Sequence, residues 1–277
     1  MFGRSRRAGP EKHRTTSVPD DTVVWAVGDV HGQDDLFDAM ASAIEGDAAE
    51  AEAARRVVIL LGDYVDRGLG SHRVIDRIFA LRQTLAGQGV ELVLLKGNHE
   101  DLLLRFIDNF STGPAWMAVG GSETLLSYAI QPPATNDLEG WEAASNLLLT
   151  SMPLEHLLFY EELLHHYQVG DYHFVHAGVR HGVPLDAQAP EDMLWIRDSF
   201  LKDTRTFDKM IVHGHTPGPE VYSDHRRICL DTGSYATGVL TAIRLEGAAR
   251  VVLQTRRSRG KVKFHVTTLE SIETAKP

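Results

Sequence analysis

Three stretches of the chain are apolar almost without interruption and stop at a glycine. They are TVVWAVGD, from Thr22 to Asp29, RRVVILLGD, from Arg55 to Asp63, and ELVLLKGN, from Glu91 to Asn98. Short apolar runs bounded in this way read as strands buried on both faces. Between them the period changes. QDDLFDAMASAI and SHRVIDRIFALRQTL place apolar residues at helical spacing; the first has acidic residues in its opening turn, and GQG closes the second. EDLLLRFIDNF, after the third strand, is again helical in pattern. The order β-α-β-α-β predicts a parallel sheet with helical crossovers. Asp29, Asp63 and Asn98 are 34 and 35 residues apart, one βαβ unit each. All three therefore fall at the carboxyl edge of the sheet, where open α/β folds bind ligands.

Residues about 111 to 165 follow a different pattern. GPAWMAVGGSETLLSYAI, WEAASNLLLTSM and PLEHLLFYEELL are helical segments broken by GG and PP, and they predict a helical cap insertion. LLHHYQVGDYHFVHAGV then reads as a hairpin turning at Gly170-Asp171, with His165, His166 and His173 expected at the surface beside it. Further strands are expected in KMIVHGH, RRICLDT, GVLTAIRL, ARVVLQT and KVKFHVTTL. The predicted fold class is α/β: two packed sheets with helices outside. One domain is expected over residues 21–268. A flexible basic tail over residues 1–20 precedes it, and a short tail over residues 269–277 follows.

Composition narrows the function classes. The chain has 277 residues and a formal net charge of −10, which argues against nucleic acid as a partner and fits a cytosolic, cytoplasmic enzyme. It holds no run of about 18 apolar residues, so no membrane span is expected. The basic N-terminal stretch lacks an apolar h-region, so no secretory signal is expected either. Cys229 is the single cysteine, which excludes an intramolecular disulfide and reads as a buried thiol between apolar neighbours.

Five short motifs carry the candidate chemistry: GDVHG (28–32), GDYVDRG (62–68), GNHE (97–100), VHAGV (175–179) and HGHT (213–216). Singly, each has a plain structural reading as a turn, a cap or a satisfied core histidine. Together they do not. Asp29, His31, Asp63, Asn98, His176 and His215 are all oxygen or imidazole ligand types at strand ends, most beside glycine, which allows close backbone approach. Mixed oxygen and nitrogen ligation without sulfur suits Mn, Fe or Zn better than Ca. A carboxylate such as Asp63 has two oxygens and can bridge two ions, the arrangement used in phosphoryl chemistry.

The motifs GDVHG, GDYVDRG and GNHE in this order, with the later HAG and GHT, resemble the serine/threonine phosphoprotein phosphatases of the metallophosphoesterase superfamily, bacterial and phage type. The resemblance covers roughly residues 22 to 245 and implies a calcineurin-like two-sheet sandwich. It implies two divalent metal ions, Mn or a pair including Fe or Zn. Asp29 and His31 would bind the first, Asp63 would bridge, and Asn98, His176 and His215 would bind the second. A water or hydroxide between the metals would be the nucleophile. His99 would be the general acid, paired with Asp66, and Arg67, Arg197 and Asn98 would contact the substrate phosphate. The substrate implied is a phosphoprotein or a small phosphoester; a symmetrical bis(5'-nucleosyl)-tetraphosphate hydrolase is the alternative that shares these motifs. Many phosphodiesterase members end with Gly-His-x-His, whereas Pro217 stands at the last position here. That departure favours the phosphatase branch.

Overall fold

The computed structural model describes residues 15–269. The strands are β1 (Thr22–Val27), β2 (Arg55–Leu60), β3 (Glu91–Leu94), β4 (His166–Val169), β5 (Tyr172–Val175), β6 (Met210–His213), β7 (Tyr222–Ser223), β8 (Arg227–Cys229), β9 (Val239–Glu246), β10 (Ala249–Ser258) and β11 (Lys261–Thr268). The helices are α1 (Asp34–Glu50), α2 (Ser71–Gly87), α3 (Asn98–Asp108), α4 (Gly113–Met117), α5 (Gly121–Ser127), α6 (Leu138–Ser151), α7 (Leu154–Glu161), α8 (Pro190–Trp195), α9 (Asp198–Leu201) and α10 (Ser234–Thr237). They build two mixed sheets. The first has the order β11-β10-β9-β1-β2-β3 and the second β4-β5-β6-β8-β7. β1, β2 and β3 are parallel, as are β5, β6 and β8.

Alternate side chains of β1 and β2 enter two different cores. Val23, Trp25, Val27, Val58 and Leu60 face α1 and α2, while Val24, Ala26, Val57, Ile59 and Leu61 meet Phe174, Val212 and Ile228 of the second sheet. With both faces apolar, hydrophobicity alone does not decide which face of β1 points where. Trp25 supplies that information. Its indole Nε1 donates to Asp47 Oδ2 of α1 at 2.7 Å, so a flipped strand would bury an unpaired donor. Each fully buried large apolar side chain in these cores contributes roughly 1.5–3 kcal/mol.

The helices of residues 113–161 share the first core with α1 and α2 through Trp116, Leu125, Trp141, Leu148 and Phe159. The segment expected as a cap is thus continuous with the helical layer. The packed chain also starts earlier than residue 21. Val18 is buried, its N–H donates to Gly247 O at 3.0 Å, and Ser17 exchanges hydrogen bonds with Asp171. The rest of the expected tails, residues 1–14 and 270–277, lies outside the described residues. The hairpin of β4 and β5 forms as expected, but His173 is not at the surface. It is fully buried and stacks on His166 with ring centroids 5.0 Å apart, because it points into the outer face of the second sheet and not toward the turn. His165 and His166 are half-buried.

Candidate active site

The six proposed ligand positions meet where the carboxyl ends of both sheets adjoin. Asp29 and His31 follow β1, Asp63 follows β2, and Asn98 opens α3 directly after β3. His176 follows β5 and His215 follows β6. All six are buried. The chain bends sharply there: His31, Asp63, Asp66, Arg67 and His215 all have positive φ, between 49° and 70°. Left-handed backbone is uncommon and costly for such residues, and its clustering marks a functional site.

Asp63 lies between two imidazole groups. Its Oδ2 is 3.4 Å from His31 Nε2, and its Oδ1 is 3.4 Å from His176 Nε2. Two potential metal sets share it, His31–Asp63–His99 and Asp63–His176–His215, each with ligand atoms within 4.8 Å of one another. Asn98 Oδ1 completes the second, 2.9 Å from His176 Nε2 and 2.8 Å from His215 Nδ1. The remaining ring nitrogens of two histidines are anchored on backbone: His31 Nδ1 on Val65 O and His176 Nδ1 on Leu61 O, both at 3.0 Å. Such anchoring fixes tautomer and aims the other nitrogen at an ion. Asp29 Oδ2 accepts from the His215 N–H at 2.9 Å, while Asp29 Oδ1 and His215 Nε2 are buried with no hydrogen-bond partner among the described residues. Buried polar atoms left over in this way fit a cation-binding cradle. Gly97 and Gly214 are part of it, since a Cβ on either would collide with Asp63 Oδ1 or Asp29 Oδ1.

Electrostatics agree with this reading. Burial raises the Asp29 carboxyl well above its usual range, and the nearby Asp231 and Asp63 push it further. Burial holds His31 down to about 3 against the pull of Asp63, so the ring is neutral, the state that ligates. Burial and the neighbouring His176 lower His215 to about 2. A nest of buried carboxylates and neutral imidazoles is a site that a multivalent cation stabilises.

His99 is placed differently from Asn98 although the two are adjacent. Its Nδ1 is 2.7 Å from Asp66 Oδ2, and its Nε2 lies 3.2 Å from Arg67 Nη2. Burial opposes a charge on His99, but Asp63 and the Asp66 hydrogen bond outweigh it, and its pKa is raised. Asp66 is fully buried and accepts from Trp116 Nε1 at 2.8 Å and from Thr124 Oγ1 at 2.6 Å. Arg67 also reaches His31 Nε2 at 3.1 Å, and its guanidinium stacks on Tyr235 at 4.4 Å. Arg197 sits by the second set, 3.4 Å from Thr216 Oγ1, and its charge helps depress His176 and His215. The two arginines thus flank the two ligand sets.

Glu100 holds the loop after β2. Its carboxylate accepts from the backbone N–H groups of Asp63 (2.9 Å), Tyr64 (2.8 Å), Val65 (3.3 Å) and Gly97 (2.9 Å). Burial and the Asp63 charge push Glu100 up to about 7, while these donors and His99 pull the other way. His213 is structural: its Nδ1 meets Gly214 O at 2.9 Å and its Nε2 meets Arg227 at 3.0 Å. The sequence reading missed Asp231, buried near Asp29, whose pKa burial pushes up to about 6. RRICLDTG held the signal, an apolar strand ended by an aspartate as at Asp29 and Asp63. Trp116 and Thr124 were also missed, and nothing in their spacing announces a role.

Residues 22–243 match the sequence family described as calcineurin-like phosphoesterase. The asymmetrical bis(5'-nucleosyl)-tetraphosphatase PrpE of Anoxybacillus flavithermus is 26% identical over 239 residues, 79% of this chain and 88% of its own. The crystal structure of a candidate diadenosine tetraphosphatase covers 86% of this chain and 96% of its own, at 18% identity and a TM-score of 0.55. The cold-active protein-tyrosine phosphatase of a psychrophilic Shewanella species covers 90% of this chain and 83% of its own, at 18% identity and a TM-score of 0.50. These two structures are likenesses of fold.

Proposed function

The chain belongs to the calcineurin-like phosphoesterases, and we infer that within them it hydrolyses phosphate monoesters, with phosphoserine and phosphothreonine of proteins as its substrates. The residues present fit two divalent cations. Asp29, His31 and Asp63 would hold the first, and Asp63, Asn98, His176 and His215 the second; manganese is the metal proposed. When bound, such a pair supplies Lewis acidity, neutralising charge on the phosphoryl group and activating water as a nucleophile.

The chain's own residues do the rest. Arg67 and Arg197 grip the non-bridging phosphate oxygens, and Asn98 contacts the same phosphate. Each guanidinium offsets charge as it accumulates in the transition state. A phosphate that draws Arg67 away from His99 Nε2 leaves that nitrogen facing the leaving oxygen. Freed of Arg67, Nε2 takes up a proton from solvent, which the raised pKa of His99 favours, and donates it to the leaving oxygen, while Asp66 steadies the ring at Nδ1. The observation that carries this reading is the 2.7 Å contact of His99 Nδ1 with buried Asp66, beside Arg67.

A second reading, dinucleoside tetraphosphate hydrolysis, is favoured by the name of the PrpE relative. That relative is of the asymmetrical type, so symmetrical cleavage gains no support from it. Manganese-loaded protein assayed side by side on a phosphoserine peptide and on diadenosine tetraphosphate decides between the readings. Turnover of the peptide is expected to dominate. Dominant turnover of the dinucleotide would overturn the proposal, and its products, two ADP or ATP with AMP, would give the cleavage type.

A further inference from the structure

We propose that His72, Asp76 and His156 form a third metal site, separate from the active-site clusters, that takes a divalent transition-metal cation such as zinc and ties α7 to α2. The inference does not rest on the substrate assignment above. His72 and Asp76 are one turn apart on α2, a spacing that brings both side chains to one face of the helix. His156 reaches them from α7. One Asp76 oxygen lies 2.9 Å from His72 Nδ1, and the other lies 3.1 Å from His156 Nε2. One nitrogen from each ring and a carboxylate oxygen all fall within 4.8 Å of one another.

The donor set is two imidazoles and a carboxylate, which suits zinc and its neighbours and not calcium or magnesium. Ligands of a tetrahedral zinc are about 3.4 Å apart at ordinary bond lengths. The two Asp76 contacts need to open by a few tenths of an ångström, the two ring nitrogens already lie within 4.8 Å of each other, and water can take the fourth position. His156 is fully buried, and its other nitrogen, Nδ1, is 2.8 Å from Tyr128 Oη. That hydrogen bond orients the ring as outer partners of metal-bound histidines do. The site is reachable. The side chains of His72 and Asp76 are 34% and 52% exposed, and Asp76 opens onto a groove lined also by Asp34, Asp35 and Asp38 with Arg73 and Arg77, which pair with Asp34 and Asp38.

The location gives the ion a structural task. The His72 N–H donates to Ser127 Oγ at 3.2 Å, Ser127 Oγ donates to Thr124 O at 2.7 Å, and Thr124 Oγ1 donates to Asp66. A cation that pins α7 to α2 therefore steadies the α5 turn that holds the partner of His99.

Chelator-treated protein is loaded with zinc, passed over a desalting column, and its metal counted. Wild type is expected to retain one zinc ion more per chain than His72→Ala or Asp76→Asn, both changes at accessible positions. Tyr128→Phe is expected to keep the stoichiometry and weaken that zinc by about 10–100-fold. In an Asp63→Ala background, which disables the shared active-site ligand, zinc is expected to raise the melting temperature, and adding His72→Ala to abolish the rise. Equal zinc in wild type, His72→Ala and Asp76→Asn would overturn the proposal and leave the cluster as a hydrogen-bonded chain.

Discussion

His99 and Trp116 meet on one carboxylate oxygen: Asp66 Oδ2 lies 2.7 Å from His99 Nδ1 and 2.8 Å from Trp116 Nε1. The candidate proton donor is therefore set by a tryptophan from the helical segment as much as by the loop after β2. Asp66→Asn keeps the shape and removes the charge that holds the His99 proton. The raised pKa of His99 keeps the imidazolium to higher pH, so losing that contribution moves the alkaline fall in kcat to lower pH. The rate is expected to drop by about 10²–10⁴-fold. Metal content should not change. A pH–rate profile with metal analysis checks both, and lost metal would show that the substitution acts on the clusters.

Trp116→Phe acts on the same oxygen in the opposite sense. The phenyl ring keeps the packing against Phe106, whose ring is 4.9 Å away, but the indole donor is gone. Asp66, less stabilised, attracts the His99 proton more strongly, so the alkaline limb is expected to move to higher pH. Losing one hydrogen bond to a buried charge costs about 1.5–3 kcal/mol. Urea unfolding and a pH–rate profile on the same sample test the pair of effects.

Glu100→Gln separates structure from chemistry. A glutamine offers one acceptor oxygen where four backbone donors converge, and it turns an N–H₂ toward some of them. A loss of about 3 kcal/mol in stability is expected. Asp63 sits on the freed loop, so manganese content should fall as well. If unfolding and metal content both match wild type, Glu100 does not brace this loop.

His173 gives the fold an acid-sensitive spot unconnected with catalysis. Burial lowers its pKa from 6.5 to about 3, and neither ring nitrogen has a hydrogen-bond partner among the described residues. Above pH 6.5 the ring is neutral whether the chain is folded or unfolded. As pH falls toward 3, only the unfolded chain takes the proton, so stability is lost across that window, by at most about 1.4 kcal/mol per pH unit. His173→Phe removes this contribution while keeping a ring against His166. The difference in unfolding free energy between pH 7 and pH 5 should be smaller in the variant; an equal difference would show that His173 does not contribute.

The three apolar runs that end at Asp29, Asp63 and Asn98 were legible because buried parallel strands leave a continuous apolar signature and a polar stop. The hairpin at Gly170 and the strands after it were legible for similar reasons. The insertion of β9 beside β1 was not, because strand order depends on contacts more than 200 residues apart. His173 was misread since a strand buried on both faces removes the alternation that tells in from out. The proposed ligand positions were recognisable as motifs. Trp116 and Thr124 were not, because their function lies in where α4 and α5 place one donor each, and no local pattern encodes a distant acceptor.

The helical segment between α3 and β4 has a consequence for how this chain can be remodelled. It contributes two of the three side chains bonded to the Asp66 carboxylate. Its length and tilt therefore cannot drift freely to suit new substrates, as an ornamental loop could. A variant that reshapes the segment must supply new donors for Asp66 in the same step, or leave that buried carboxylate short of hydrogen bonds.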